Sequence, residues 1–276
     1  MLSLLSLTGV KCIDNPILRR IELVRPGFIN YVTYLNKVLN GEIKLSGLIE
    51  EFKTKEICVT ALRLRNHDYA MLYVPHYLKT KEICKIAVIN SKYALQFVPE
   101  ELKTEELCEL AVSHHGTSIR YVPSELVSEK LCKLAVTNDG CALMLIPKNF
   151  KTAEICEIAV TTVGSVLLHV PQNVRTEKMC KLAVLNDWTV FKYIPHHMRT
   201  KKICYTAVQQ NGEALKYVPR NLLSEQMCEL AMKTYLYVLK LIPKNIKTKK
   251  ICRIAVQRNG EELLHVPDEF KTKKNM

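Results

Sequence analysis

Two apolar rhythms alternate along most of the chain. In KEICKIAV (81–88), Ile83, Cys84, Ile86, Ala87 and Val88 share one side of a helical wheel, and Lys81, Glu82 and Lys85 fill the rest. At 100° per residue the apolar arc spans about 200°, which predicts a short helix touching neighbours on both sides. A shorter set follows in YALQFVP, where Ala94, Leu95 and Val98 lie opposite Gln96. It predicts a second short helix that the proline ends, because proline restricts the residue before it. Leu102 then tucks the returning chain under the pair, as do Leu126, Phe150, Met198 and Ile246 in other copies.

The rhythm repeats every 24 residues. Proline stands at 75, 99, 123, 147, 171, 195, 219, 243 and 267, and cysteine keeps the same step from Cys84 to Cys252. Cys58 lies 26 residues before Cys84, so the first repeat carries two extra residues in LRLRNHDYAM. Thr80, Thr104, Ser128, Thr152, Thr176, Thr200, Ser224 and Thr248 precede each apolar helix, where a hydroxyl oxygen accepts from an unpaired first-turn N–H. Gly116, Gly140, Gly164, Gly212 and Gly260 fall where the first helix ends, and a left-handed glycine cap is the expectation there. An alanine (Ala61, Ala87 and their equivalents to Ala255) occupies the middle of the first helix in all nine copies, allowing close helix approach.

The predicted fold is all-α: an α-solenoid of about nine 24-residue helix-turn-helix repeats over residues 54–272. Helical segments at PGFINYVTYLNKVLNG (26–41) and SGLIEEF (46–52) make residues 1–53 an N-terminal helical capping segment, and residues 273–276 form a basic tail. Nine units stacked at helix-packing distances of about 8 to 10 Å would extend roughly 70 to 90 Å, a surface suited to macromolecular partners more than to small substrates.

Composition adds two constraints. The chain has 276 residues, 48% hydrophobic and 24% charged, a foldable globular balance. MLSLLSLTGV at the start lacks a basic flank and is shorter than the roughly 18 apolar residues of a spanning helix, so a soluble, cytoplasmic chain is expected. The odd count of eleven cysteines agrees with that, since it would leave one thiol unpaired in a secreted protein. The formal charge of +13 is unevenly spread: residues 1–75 carry +3, residues 76–171 carry −1 and residues 172–276 carry +11. An anionic partner is therefore expected to meet the C-terminal third.

The once-per-repeat cysteine invites a metal or redox reading, which the spacing opposes. Zinc sites use closely spaced ligand pairs, and equivalent positions in stacked helices lie about 8 to 10 Å apart, too far for one ion or a disulfide. Buried packing is the expectation for the ladder; Cys12 and Cys141 fall outside it. The eight histidines occupy scattered repeat positions, and neither a phosphate loop, a nucleophile elbow nor an H-E-x-x-H pattern occurs. No catalytic residue, metal ligand or cofactor is expected.

Basic and aromatic residues supply the remaining chemistry. Lys53, Lys79, Lys103, Lys151, Arg175, Arg199, Lys247 and Lys271 stand directly before the N-cap, with gaps at Val127 and Leu223. One reading has their aliphatic stems covering apolar neighbours while the charge reaches water. The other joins Arg175, Arg199 and Lys247 to Lys201, Lys202, Lys249, Lys250, Arg253 and Arg258 as a track for phosphates or an acidic protein. Lys192, Lys216 and Lys240 directly precede Tyr193, Tyr217 and Leu241, which makes the second-helix face of the C-terminal third the best binding candidate.

The units NGEALKYVPRNLLSEQMCELAM (211–232) and NGEELLHVPDEFKT (259–272) resemble a repeat family of unknown function found in amoeba-infecting giant viruses and some amoeba-associated bacteria. Asn211, Gly212, Ala214, Leu215, Tyr217 and Leu222 carry the match, which covers about residues 54–272, and the in-register Cys and Pro look like the giant-viral version. The resemblance implies no catalytic residues. Together these readings predict a non-enzymatic scaffold binding a protein partner, in the host cytoplasm if the chain is viral. The alternative is a solenoid that binds RNA or DNA through the basic C-terminal third.

Overall fold

A computed structural model describes residues 28–64 and 68–271; Cys12, His67, the first 27 residues of the expected cap and the tail at 273–276 lie outside them. Every regular element among the described residues is helical. The chain divides into two compact units at Asn138/Asp139. Unit 1 contains α1 (Phe28–Leu39), α2 (Lys55–Arg63), α3 (Lys81–Asn90), α4 (Glu105–His114) and α5 (Glu129–Asn138). Unit 2 contains α6 (Ala153–Thr162), α7 (Glu177–Asn186), α8 (Lys201–Gln210), α9 (Glu225–Thr234) and α10 (Lys249–Arg258). Within each unit every α-helix packs on its predecessor in sequence, the arrangement of a helical repeat solenoid, and α1 packs on α2 ahead of the repeats.

The helix starts follow from local chemistry. Thr54, Thr80, Thr104, Ser128, Thr152, Thr176, Thr200, Ser224 and Thr248 each accept from the backbone N–H three residues on, at 3.2 to 3.5 Å. Each hydroxyl satisfies one of the donors that a helix N-terminus leaves unpaired.

The second half of the repeat differs from expectation. The predicted second α-helix is a 3₁₀ segment, such as Ala94–Phe97, Gly116–Tyr121 or Gly212–Tyr217, and a separate 3₁₀ turn follows the proline, as at Glu100–Leu102 and Arg220–Leu222. The proline does not terminate an α-helix; it holds the corner between the two 3₁₀ pieces. Val98 before Pro99 is extended (φ −74°, ψ 133°), as the ring requires, while the Pro99 carbonyl accepts from Leu102 N–H at 3.0 Å to open the next turn. Three residues per 3₁₀ turn align every third side chain, so the apolar and polar positions of these segments separate cleanly despite their shortness.

The glycine expectation is also corrected. Gly41 is the one residue with positive φ among those described, so the repeat glycines are not left-handed caps. The residue before them is extended instead, as at Val163 (φ −137°) and Asn211 (φ −152°). What requires glycine is the next helix: an added Cβ would lie 2.7 Å from the Ala159 carbonyl oxygen at Gly140, 2.6 Å from Ala183 O at Gly164 and 2.1 Å from Ala231 O at Gly212. At Gly260, beyond which no further α-helix is described, it would meet nothing within 4 Å. The central alanine and the glycine are thus two sides of one close backbone approach.

Helix C-termini are closed by side chains of the following repeat. Asn138 Nδ2 donates to Ser113 O at 2.7 Å, Asn186 Nδ2 to Thr161 O at 2.7 Å, Gln210 Nε2 to Leu185 O at 3.1 Å and Arg258 to Lys233 O at 3.2 Å. These bonds satisfy carbonyls that a helix end leaves open. Asp139, Asp187, Asn211 and Asn259 then cap the 3₁₀ segments by accepting from the N–H two residues on.

The core runs along the inner side of the α-helices. Isoleucine, cysteine, alanine and valine of the repeat, exemplified by Ile83, Cys84, Ala87 and Val88, are fully buried. The ladder cysteines are free thiols at 0% exposure, 3% at Cys252, while Cys141 is half-buried. Desolvation pushes the thiols of Cys58, Cys84, Cys108, Cys132, Cys204 and Cys228 up to about 11, so they stay protonated and act as small apolar side chains.

Candidate partner-binding surface

The basic residues before the N-cap are built into the repeat. Lys79 Nζ donates to Phe97 O at 3.0 Å and Lys247 Nζ to His265 O at 2.9 Å, each reaching the 3₁₀ segment one repeat ahead. Arg199 is 8% exposed; its Nε donates to Ile194 O at 2.7 Å, one terminal nitrogen to Tyr217 O at 2.6 Å and the other to Lys192 O at 3.0 Å. Arg175 donates to Leu167 O and Val170 O. A short 3₁₀ segment leaves its last carbonyls unpaired, and a cation under them supplies the donors. Burial lowers the ammonium pKa of Lys79 and Lys247, a cost that the carbonyl bonds offset. Arg175, Arg199 and Lys247 therefore donate to backbone oxygens of the repeat; Arg199 is buried and closed to a surface track, while Arg175 and Lys247 stay partly exposed. Exposed Arg258 donates one bond to Lys233 O.

Lys192, Lys216 and Lys240 do stand on the surface. They occupy equivalent positions on the outward side of three successive 3₁₀ segments in unit 2, and all are exposed. Each ammonium lies over a tyrosine ring: Lys192 is 4.7 Å from the Tyr193 centroid, Lys216 4.9 Å from Tyr217, and Lys240 5.2 Å from Tyr237 and 6.0 Å from Tyr235. Neighbouring members of the row are close enough to influence one another: the Lys192 ammonium pKa is raised first by the Tyr193 hydroxyl and a little by Tyr217, while the Lys216 charge lowers it. Lys216 also pairs with Glu213 at 2.5 Å, which raises its pKa, so the row is not uniformly cationic. Tyr193 is half exposed.

The remaining candidates sit on the outer side of the α-helices, away from that row in the repeat. Lys201 and Lys202 open α8 and are exposed. Lys249, Lys250 and Arg253 belong to α10, where Lys250 is paired with Glu229 at 2.5 Å. Lys249 and Arg253 border a small hollow of about 40 Å³ with Cys252, Val256, Val266 and Phe270. The sequence-predicted set thus divides into three groups: carbonyl-bonded cations, a lysine–tyrosine row on the 3₁₀ face, and helix-face lysines.

Sequence reasoning missed Tyr235, Tyr237 and Tyr205. Tyr237 precedes the 3₁₀ segment Leu239–Leu241 that carries Lys240, and its irregular backbone gave no periodic signal. Tyr205 bonds Ser224 Oγ at 3.1 Å across one repeat and had no signal apart from the α-helical register. Among the described residues no group of three or more His, Cys, Asp or Glu side chains is arranged to hold a metal, and no helix is long and apolar enough to cross a membrane.

Comparison with known proteins gives one result with content. The family model for a domain of unknown function, DUF4116, matches residues 54–103, 80–127, 104–151 and 176–223, each window covering two of the 24-residue repeats. Curated proteins and solved structures yielded no match. With the matched windows covering more than half of its length, the chain belongs to the DUF4116 family.

Proposed function

We propose that this protein is a non-enzymatic repeat scaffold that binds another protein, and that the 3₁₀ face of unit 2 between Trp188 and Leu241 is the binding surface. The observation that carries this reading is the row of outward Lys192, Lys216 and Lys240, each held over a tyrosine ring. Rings fixed by a neighbouring cation offer contact area with little entropy left to lose, and the lysines select a partner with acidic groups. Residues 172–276 carry a net +11, which would speed encounter with such a partner.

Binding of RNA or DNA is the second reading, favoured by the same charge. Against it stands the ring geometry: stacking platforms need a free aromatic face, and these rings already carry their own ammonium groups. The setting we propose, the cytoplasm of an infected host cell, rests on the resemblance to giant-viral repeats alone.

Crosslinking from a photoreactive residue placed at Tyr193, with expression in amoebal cells and mass spectrometry of the captured species, tests the assignment. A protein crosslinked from position 193, and not from a control position at exposed Lys148, is the expected result. Retention of nucleic acid with a steep salt dependence and no protein crosslink would favour the second reading.

A further inference from the structure

Within each unit the outer side of the α-helices carries ion pairs that join successive helices at one recurring position. The fifth residue of the apolar octet pattern in one helix, at Lys85, Glu109, Glu157 and Glu229, meets a residue 21 positions later: Lys85 pairs with Glu106 at 2.6 Å and Glu229 with Lys250 at 2.5 Å, while Glu109 pairs with Lys130 and Glu157 with Lys178. Opposite charges stand at both ends of every one of these rungs, in either orientation. At the same two positions between α7 and α8 the chain has Lys181 and Lys202.

Two like charges on that rung depart from the opposite-charge pattern of the ion-paired rungs. Neither ammonium has an ion-pair or hydrogen-bond partner among the described residues. The neighbouring carboxylates bond elsewhere: Glu177 accepts from Thr200 Oγ1 at 2.8 Å, and Glu157 is held by Lys178. Lys201 adds a fourth cation to Lys178, Lys181 and Lys202, lying 6.0 Å from the Tyr205 centroid. The next rung, Tyr205 to Gln226, is uncharged and contributes no anion.

We infer that the Lys181/Lys202 rung is a docking point for a side-chain carboxylate of an acidic protein segment, which completes the rung from outside. The argument for a carboxylate is the ladder itself: elsewhere in unit 2 the α6–α7 and α9–α10 rungs each seat one against an ammonium in this backbone geometry. This site is on the helix side of unit 2 and does not depend on the lysine–tyrosine row of the 3₁₀ face.

Lys181→Glu supplies the missing charge from within the chain and is the discriminating variant. The probe is a fluorescein-labelled peptide of ten glutamates, followed by anisotropy at low salt on the full chain. The expected result is a loss of at least tenfold in affinity for Lys181→Glu, with a retained or raised melting temperature, and a loss of under twofold for Lys148→Glu, which changes net charge equally elsewhere in unit 2. Equal losses in the two variants would overturn the inference by making the attraction a property of net charge alone, and so would absence of binding by the unaltered chain. A ten-nucleotide single strand that binds more tightly than the peptide and responds to Lys181→Glu in the same way would also overturn it, in favour of phosphate.

Discussion

On the 3₁₀ face of unit 1 the outward positions hold Leu72, Gln96 and Arg120, and on that of unit 2 the equivalent positions hold Met144, Leu168, Lys192, Lys216, Lys240 and Leu264, so that three consecutive lysines lie between exposed apolar residues. The aromatic residues beside them behave accordingly. In unit 1 the rings turn to each other: Tyr69 and Tyr93 stack with centroids 4.9 Å apart, and Phe97 meets Tyr69 edge-on at 6.4 Å. In unit 1 a lysine adds to that stack, with Lys92 5.1 Å from the Tyr93 centroid, whereas in unit 2 Tyr193 and Tyr217 each face a lysine alone and Tyr235 and Tyr237, edge-on at 6.2 Å, share Lys240. The inward residues scarcely differ, with Leu95 and Leu215, Cys84 and Cys204, Ala87 and Ala207 all buried. The frame is set by inward contacts, and the outward positions vary without disturbing it, which is how one repeat presents two surfaces.

The largest effect should come from attacking the shared frame. Gly212→Ala drives a Cβ to 2.1 Å from Ala231 O, and overpacking of this kind costs about 1 to 3 kcal/mol. Gly260→Ala meets nothing and should be neutral or stabilising by up to about 1 kcal/mol through the unfolded chain. Urea unfolding of the two variants measures the difference, and similar values would remove the close-approach account of the glycine.

Next comes the surface that separates the units. Replacing Lys192, Lys216 and Lys240 with glutamine should weaken an acidic partner about tenfold, or about 1.4 kcal/mol. The melting temperature should stay within a degree or two, since exposed pairs contribute little to stability. A large loss of stability would instead make the row part of the frame.

Cysteine tests whether the frame is the same in both units. Cys84→Ala and Cys204→Ala each remove a fully buried sulfur and should destabilise by similar amounts, about 1 kcal/mol, in denaturant titrations. In thiol labelling of the native chain, half-buried Cys141 should react well before the ladder.

The smallest effect distinguishes unit 1. His115 Nε2 lies 3.1 Å from Ile89 O, and desolvation lowers its pKa below the ordinary 6.5. The unfolded chain then takes up the proton first, so the contribution of the neutral ring is complete above pH 6.5 and is lost as the pH falls towards the depressed value. Unfolding at pH 7.5 and 5.5 should show a smaller pH dependence in His115→Asn, the residue found at the equivalent Asn211.

Much of this was legible in the chain. The hydroxyl caps, the α-helical octets, the buried cysteine and the 24-residue period are local or periodic signals, and each is where the pattern puts it. The second helix was not, because YALQFVP is too short for periodicity to separate α from 3₁₀ winding. The roles of Gly212 and Arg199 were not legible either. Both depend on backbone atoms of another repeat, Ala231 O and Tyr217 O, that no property of their own neighbourhood specifies. Of the candidate cations, Arg199 is buried against carbonyls, and Lys192, Lys216 and Lys240 are exposed beside tyrosine rings.

By itself the sequence determined the repeat: its length, its N-caps, its apolar side, and the excess of positive charge near one end. Those features arise from interactions within a few residues or from recurrence at a constant step. Only the tertiary structure decided which cations are consumed by carbonyls and which stay available, and that Lys181 and Lys202 share a rung without a carboxylate. A charge acquires its role from whatever the neighbouring repeat places within about 3 Å of it, and that distance is a property of packing.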